Sequence, residues 1–224
     1  NVLGEYPGDP GPPGGDTAAV VAETSPFAHH ATGDAVFGMA IAPLACLAHA
    51  SSLLLALKPA TLSFEQMCTL PVTWSTTHVA VERGNMRTGR RWIVHAAAGG
   101  VGMKAVEYAQ WLNALLVGPA GRPHKHHVLR GVGVQLCMSS RDGGAFAAGA
   151  AVAVRGGRLC GVLNSLSRDF VSASLALLAE RRGCFAEIGK RGVWGSARAA
   201  AAAGAQYDVL ALDSVMEREP AWIA

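Results

Sequence analysis

The sequence predicts an α/β fold, a doubly wound parallel sheet preceded by a smaller β-rich module. Three observations lead there. From about residue 91 onward, short apolar strands alternate with helical patterns, the order that builds parallel sheets. One of those strands runs through a glycine-rich turn straight into an apolar-periodic helix. Before residue 62 the texture differs, with short strands, prolines and turns and little helical periodicity.

The first fifteen residues hold the run Tyr6-Pro7-Gly8-Asp9-Pro10-Gly11-Pro12-Pro13-Gly14-Gly15, which reads as loop. Ala18 to Ala22 reads as a short buried strand. Thr32-Gly33-Asp34 is a turn, and Ala35 to Met39 begins another strand. Ser63-Phe64-Glu65-Gln66 is a capping-box pattern, a hydroxyl followed three residues later by an amide. It opens a helical region interrupted at Pro71 and running to about Val81. Arg91 to Val94 is a strand, and the helix beyond it carries Val101, Ala105, Val106, Ala109 and Leu112 on one face. Leu115 to Val117, Val132 to Leu136, Val162-Leu163 and Cys184 to Ile188 are further strands, with a helix over Phe170–Ala179. The alanine run Ala199–Ala203 is given no function.

Bulk properties narrow the function classes. Of 224 residues half are apolar and 16% are charged, enough apolar surface for a sizeable core. A net charge of +3 is too mild for a dedicated nucleic-acid binder. Val36 to Leu57 carries no charged residue, but Gly38, Pro43, His49 and Ser51-Ser52 interrupt it. It reads as buried strands, or strand plus helix, of a water-borne core rather than a membrane span. Asn1-Val2-Leu3-Gly4 lacks the basic stretch and apolar run of a secretory leader. The five cysteines have no CxxC or disulfide-like spacing, which points to a reducing, cytoplasmic setting. His124, His126 and His127 lie close together without a cysteine or carboxylate beside them. They read as a polar, basic loop, and no metal is expected.

The chemistry-bearing feature is Ala96-x-x-Gly99-x-x-Gly102, between a strand and a helix. Glycine lets the backbone turn tightly and approach a pyrophosphate, and the helix aims its N–H groups and positive dipole end at the phosphates. This predicts a dinucleotide site at Ala98, Gly99, Gly100, Val101 and Gly102. Folds that bind NAD place an acid near the end of the second strand to hold the ribose 2′-hydroxyl. Here no Asp or Glu occurs between Glu107 and Asp142, while Arg122, Lys125, Arg130 and Arg141 do. A 2′-phosphate wants such cations, so NADPH is favoured over NADH. Lys125 and Arg141 are the expected ligands, and Arg130 an ordinary surface charge. Asn164, after a strand at the carboxyl edge, is expected beside the nicotinamide ribose.

His95-Ala96-Ala97-Ala98-Gly99-Gly100-Val101-Gly102-Met103 resembles the cofactor loop of enoyl reductase domains of polyketide synthases and animal-type fatty acid synthase, in the zinc-free branch of the medium-chain dehydrogenase/reductase superfamily. Asn1 to Asp9 is similar to that family's substrate-side loop. Leu62 to Gln66 with Thr69 to Val72 is similar to the helix joining its subdomains. Ser139 to Asp142, Val162 to Leu166 and Phe185 to Lys190 match three more motifs in the right order. The match thins between Val193 and Tyr207, and Cys160-Gly161 stands where the family has an Asp and an apolar residue.

The resemblance implies a Rossmann-type sheet plus part of a GroES-like substrate subdomain, truncated at both ends because the family's first β segment and its returning segment have no counterpart. The expected division is 1–70 for the substrate part, 71–213 for the nucleotide part and 214–224 for the start of the return. It also implies NADPH-dependent reduction of an α,β-unsaturated thioester carried on an acyl carrier protein, beside neighbouring synthase domains. Tyr6 and Lys190 match the family's proposed proton donors, with Asp213 as partner of Lys190. Two other readings stay open: a free-standing zinc-free quinone oxidoreductase, and a non-catalytic NADPH-binding remnant.

Overall fold

The computed structural model describes residues 11–134, 136–155, 159–178 and 183–219. The described residues separate into two compact units. One holds those up to Ser75 with those from Ala211 on; the other is Thr76–Leu210.

The first unit is built on a three-stranded antiparallel sheet, β1 (Asp16–Val20), β2 (Ala35–Met39) and β3 (Leu55–Leu57), in that order. β2 is the buried middle strand, with Val36 and Met39 in the core. β1 begins two residues earlier than expected and is not buried. It pairs only with β2 among the described residues, and Val20 is 54% exposed, as an edge strand allows. The charge-free stretch to Leu57 is likewise not buried throughout. Between β2 and a 3-10 turn at Ser52–Leu54 the chain is irregular, Ile41, Leu44 and Leu47 are exposed, and only Ile41 and His49 bridge. Pro43 has no N–H to give to a ladder. The capping box forms as read: Ser63 Oγ accepts from Gln66 N–H at 3.2 Å and Ser63 N–H donates to Gln66 Oε1 at 2.9 Å. It starts α1 (Phe64–Met67). Pro71 then starts α2 (Pro71–Gly84), where its fixed φ suits a first turn. Asp16 accepts from the Val72 N–H at 2.7 Å and so caps that turn. α8 (Leu212–Arg218) closes this unit's described chain.

The second unit is a six-stranded parallel sheet. Its strands are β4 (Arg91–Val94), β5 (Leu115–Ala120), β6 (Leu136–Ser139), β7 (Leu159–Asn164), β8 (Cys184–Glu187) and β9 (Gln206–Val209), ordered β6-β5-β4-β7-β8-β9. The connecting helices are α3 (Gly100–Trp111), α4 (Pro123–Gly131), α5 (Gly143–Val154), α6 (Asp169–Leu177) and α7 (Ser196–Ala203). This is a Rossmann-type sheet, and its strands are apolar on both faces because helices cover both. β4 shows it most directly. Ile93 packs with Val117, Phe146, Val162 and Phe185 on one face, while its neighbour Trp92 packs with Val81, Met86 and Ala109 on the other.

His124, His126 and His127 lie in α4, not in a loop: Pro123 sits in its first turn and His126 Nε2 anchors it to the Ala120 carbonyl at 2.8 Å. The strand expected at Val132–Leu136 is β6, beginning only at Leu136. Val132 to Val134 instead leave α4 by a Schellman turn, with Gly133 at φ +87° and Val134 N–H donating to the Leu129 carbonyl at 2.9 Å.

Candidate functional site

A cleft of about 410 Å³ opens at the carboxyl ends of β4 and β5, where the strand order reverses between β4 and β7. Ligands of open α/β sheets bind at such a switch point. Its floor is the glycine turn. Ala96 takes the left-handed conformation (φ 49°), Gly99 N–H donates to the Ala96 carbonyl at 2.7 Å, and Gly99 caps α3 without a side chain. The first-turn N–H groups of a helix have no partner within it, so α3 turns their positive end to the cleft. Gly102 is required by close approach. A Cβ there would run into the Ala96 carbonyl oxygen and lie 2.6 Å from Ala97 Cα. This is a cradle that any side chain would fill, and it fits a pyrophosphate.

The opposite wall carries the cations. β5 ends at Ala120, so the position where NAD-binding folds place an acid is occupied by Gly121-Arg122. Arg122, His124, Lys125, Ser140 and Arg141 line the cleft, and among the described residues no carboxylate does. Arg141 lies over Gly121, its Nε 2.7 Å from where a Cβ would stand. Its backbone N–H is held by Ser139 Oγ at 3.1 Å, and Asp142 caps α5 through the Ala145 N–H at 2.6 Å. The structure therefore brings together Ala98, Gly99, Lys125 and Arg141 around one cleft, with Gly100, Val101 and Gly102 in the adjoining first turn of α3. Arg122, one of the cations of that interval, and His124, expected only as part of a basic loop, join them.

Asn164 ends β7 but is fully buried. Its amide accepts from Leu166 N–H at 3.2 Å and donates to the Leu166 carbonyl at 2.8 Å and to Glu187 Oε2 at 2.7 Å. Leu166 lines the cleft, so Asn164 shapes the wall from behind. Lys190 is exposed, three residues beyond β8; Asp213 is exposed in the first turn of α8, where its Oδ1 accepts from Ser214 N–H. These two fall in different compact units. Tyr6 lies outside the described residues.

Two buried titratable groups were not read from the sequence. His95, next to the glycine turn, bonds Ser174 Oγ at 2.8 Å through Nε2, while Nδ1 meets no partner among the described residues. Phe146 and Phe170 flank its ring, and burial pushes its pKa down to about 3, so it is neutral. Glu187 is 1% exposed at the end of β8, and burial pushes its carboxyl up to about 7 against hydrogen bonds from Asn164, Gly189 and Tyr207. The available signal was a lone carboxylate in the apolar run Cys184–Ile188. Among the described residues no cluster of three or more His, Cys, Asp or Glu is placed to hold a metal.

No protein-family model matches the chain. It is 39% identical over 194 residues to the spectinabilin polyketide synthase system protein NorB of Streptomyces orinoci, a match covering 84% of this chain and 8% of NorB. Among solved structures it superposes on the CurK enoyl reductase with a TM-score of 0.86 at 29% identity, covering 93% of this chain and 63% of that one. A mycobacterial protein solved in complex with NADPH shares the fold, with a TM-score of 0.83 at 22% identity over 94% of this chain and 68% of that one. The chain thus spans under a tenth of NorB and somewhat less than two thirds of CurK enoyl reductase.

Proposed function

We propose that this chain is an enoyl reductase of the kind found in polyketide synthases, within the medium-chain dehydrogenase/reductase superfamily, and that it reduces the α,β-double bond of an enoyl thioester with NADPH; its likeness to a polyketide synthase protein and to the CurK enoyl reductase supports this. The observation that carries the cofactor half is the cleft: a glycine cradle on one side, and on the other Arg122, Lys125 and Arg141 with no carboxylate among the described residues, where NAD-binding folds keep an acid. When bound, NADPH supplies the hydride for the β-carbon.

The chain's own residues do the rest. The first-turn N–H groups of α3, at Gly100, Val101 and Gly102, would hold the pyrophosphate. Lys125 and Arg141 would hold the 2′-phosphate through their charged N–H groups. The buried pair Asn164 and Glu187 keeps Leu166 at the cleft wall. Charge that builds on the thioester oxygen is relieved when the α-carbon takes a proton. Tyr6 or Lys190 is the donor. The thioester is presented on an acyl carrier protein, with other synthase domains as neighbours.

The test is NADPH oxidation, followed by absorbance, with a crotonyl thioester and the longest polypeptide in which this sequence occurs. Turnover is expected, and Lys190→Ala or Tyr6→Phe should lower it by roughly 100- to 10,000-fold, the usual worth of a general acid. Turnover of quinones but not thioesters would place the chain with the quinone oxidoreductases. NADPH binding without either reaction would make it a non-catalytic remnant.

A further inference from the structure

We propose that Glu187 is a positioning residue of this site: its carboxylate accepts hydrogen bonds from Asn164, Gly189 and Tyr207 together and so sets the turn that carries Lys190. Its catalytic consequence rests on the enoyl reductase reading; the hold on the turn rests on geometry alone.

Glu187 ends β8 in the interior of the parallel sheet, in register with Asn164 of β7 and Val209 of β9. Past this point the regular ladder stops, with Ile188 N–H on the Asn164 carbonyl at 2.9 Å and Leu210 N–H on the Glu187 carbonyl at 2.8 Å. The carboxylate continues the pairing where the backbone leaves off. Oε2 takes the Asn164 amide N–H at 2.7 Å and Oε1 takes the Gly189 backbone N–H at 2.7 Å. The Tyr207 hydroxyl donates to it from β9. Tyr207 is stacked on Phe185 (ring centroids 5.2 Å apart), and its oxygen accepts from Trp194 N–H at 3.2 Å. One buried group therefore ties β7, β9 and both ends of the segment from Gly189 to Trp194, and Lys190 lies within that segment.

The arrangement is specific to a charged acceptor. Asn164 is bound to Leu166 by its carbonyl oxygen and its amide nitrogen, so the amide cannot turn its oxygen toward Glu187 without losing both bonds. Gly189 offers only an N–H, and a Cβ there would stand 2.7 Å from Oε1. A protonated carboxyl would bring a donor to a place already supplied with donors, and one bond to it would be lost or reversed. Burial raises the carboxyl to about 7, so this change of state falls within the ordinary working range. The titratable groups around it are Tyr207 on β9 and, along its own turn, Lys190 and Arg191; Asn164 on β7 is uncharged, and Asp208 acts on Cys184 at the other end of β8.

The experiment uses Glu187→Gln, close to isosteric, and Tyr207→Phe, which removes one donor and keeps the ring. Two quantities are read on each: hydrogen exchange of the Gly189 amide, and the pH profile of kcat with NADPH and a crotonyl thioester. In the unmodified protein kcat should rise with pH through a limb near 7. Tyr207→Phe should move that limb upward, because a hydrogen bond to the charged form is lost. Glu187→Gln should abolish the limb, lower kcat by roughly 10- to 100-fold, the scale of a misplaced reacting group, and leave the KM for NADPH little changed. In the same variant the Gly189 amide should lose protection. Unchanged Gly189 protection in Glu187→Gln overturns the proposal whatever the catalysis does, and so does a limb that persists in that variant. If Gly189 is deprotected but the unmodified protein reduces no enoyl thioester, the reaction has been misread while the hold of Glu187 on the turn stands.

Discussion

On the proposed reading, Arg141 and Lys125 decide between two cofactors that differ by one phosphate. Each would contribute a charge-assisted bond to the 2′-phosphate, worth about 1.5–3 kcal/mol, so Arg141→Ala or Lys125→Ala should lower kcat/KM for NADPH by roughly 10- to 100-fold. The value for NADH should barely move, since that cofactor has nothing there to bind. Steady-state rates with both cofactors check this, and equal losses for the two would contradict it. Gly102→Ala acts differently, because its methyl meets the Ala96 carbonyl and the Ala97 backbone. Thermal unfolding should report about 1–3 kcal/mol of lost stability, the usual scale of overpacking, and an NADPH titration should report weaker binding. Of the site, the glycine turn and its cations were legible in the sequence because both are local patterns. Glu187 and His95 were not, because what matters about each is burial beside residues far along the chain: Asn164 for one, Ser174 for the other.

At the scale of elements, the strands of the sheet were legible because parallel strands covered on both faces are continuous apolar runs. β9 (Gln206–Val209) was not, since an edge strand with Gln206 and Asp208 is no apolar run, and β6 was placed too early. Of the helices, α3 showed its period, whereas α4 hid behind histidines and α5 behind Gly143-Gly144. The small sheet was misjudged at β1, since an edge strand and a buried one share the same short apolar look, and only pairing tells them apart. Two strand ends in the large sheet carry opposite pH dependences. At the end of β4, His95 is held neutral with its pKa lowered from 6.5 to about 3. The unfolded chain takes up a proton there that the folded chain refuses, so this contribution rises with pH between those values. At the end of β8, Glu187 is raised from 4.5 to about 7, so the folded chain keeps a proton that the unfolded chain gives up. That contribution falls as pH rises from 4.5 to about 7. Between pH 4.5 and 6.5 the two oppose one another. His95→Gln should therefore leave a stability that falls with pH across this window, and Glu187→Gln one that rises, each by at most about 1.4 kcal/mol per pH unit. Urea unfolding at a series of pH values checks both slopes, and parallel curves would contradict the assignment.

At the scale of the whole molecule, the chain is a piece of something larger in its relatives, covering 8% of NorB and 63% of the CurK enoyl reductase. No helix among the described residues is long and apolar enough to cross a membrane. The family resemblance was legible from the order of several short motifs, which no single glycine pattern could have supplied. What the whole polypeptide does is therefore best asked of the reaction itself, by following the transferred atom. NADPH carrying deuterium at the transferable position of nicotinamide C4 is incubated with a crotonyl thioester and the longest polypeptide containing this sequence, and the product is read by mass spectrometry and NMR. One deuterium at the β-carbon of a saturated thioester is the expected result. NADPH consumed with no deuterium in the thioester, or a thioester returned unreduced while the cofactor stays bound, would contradict the enoyl reductase account.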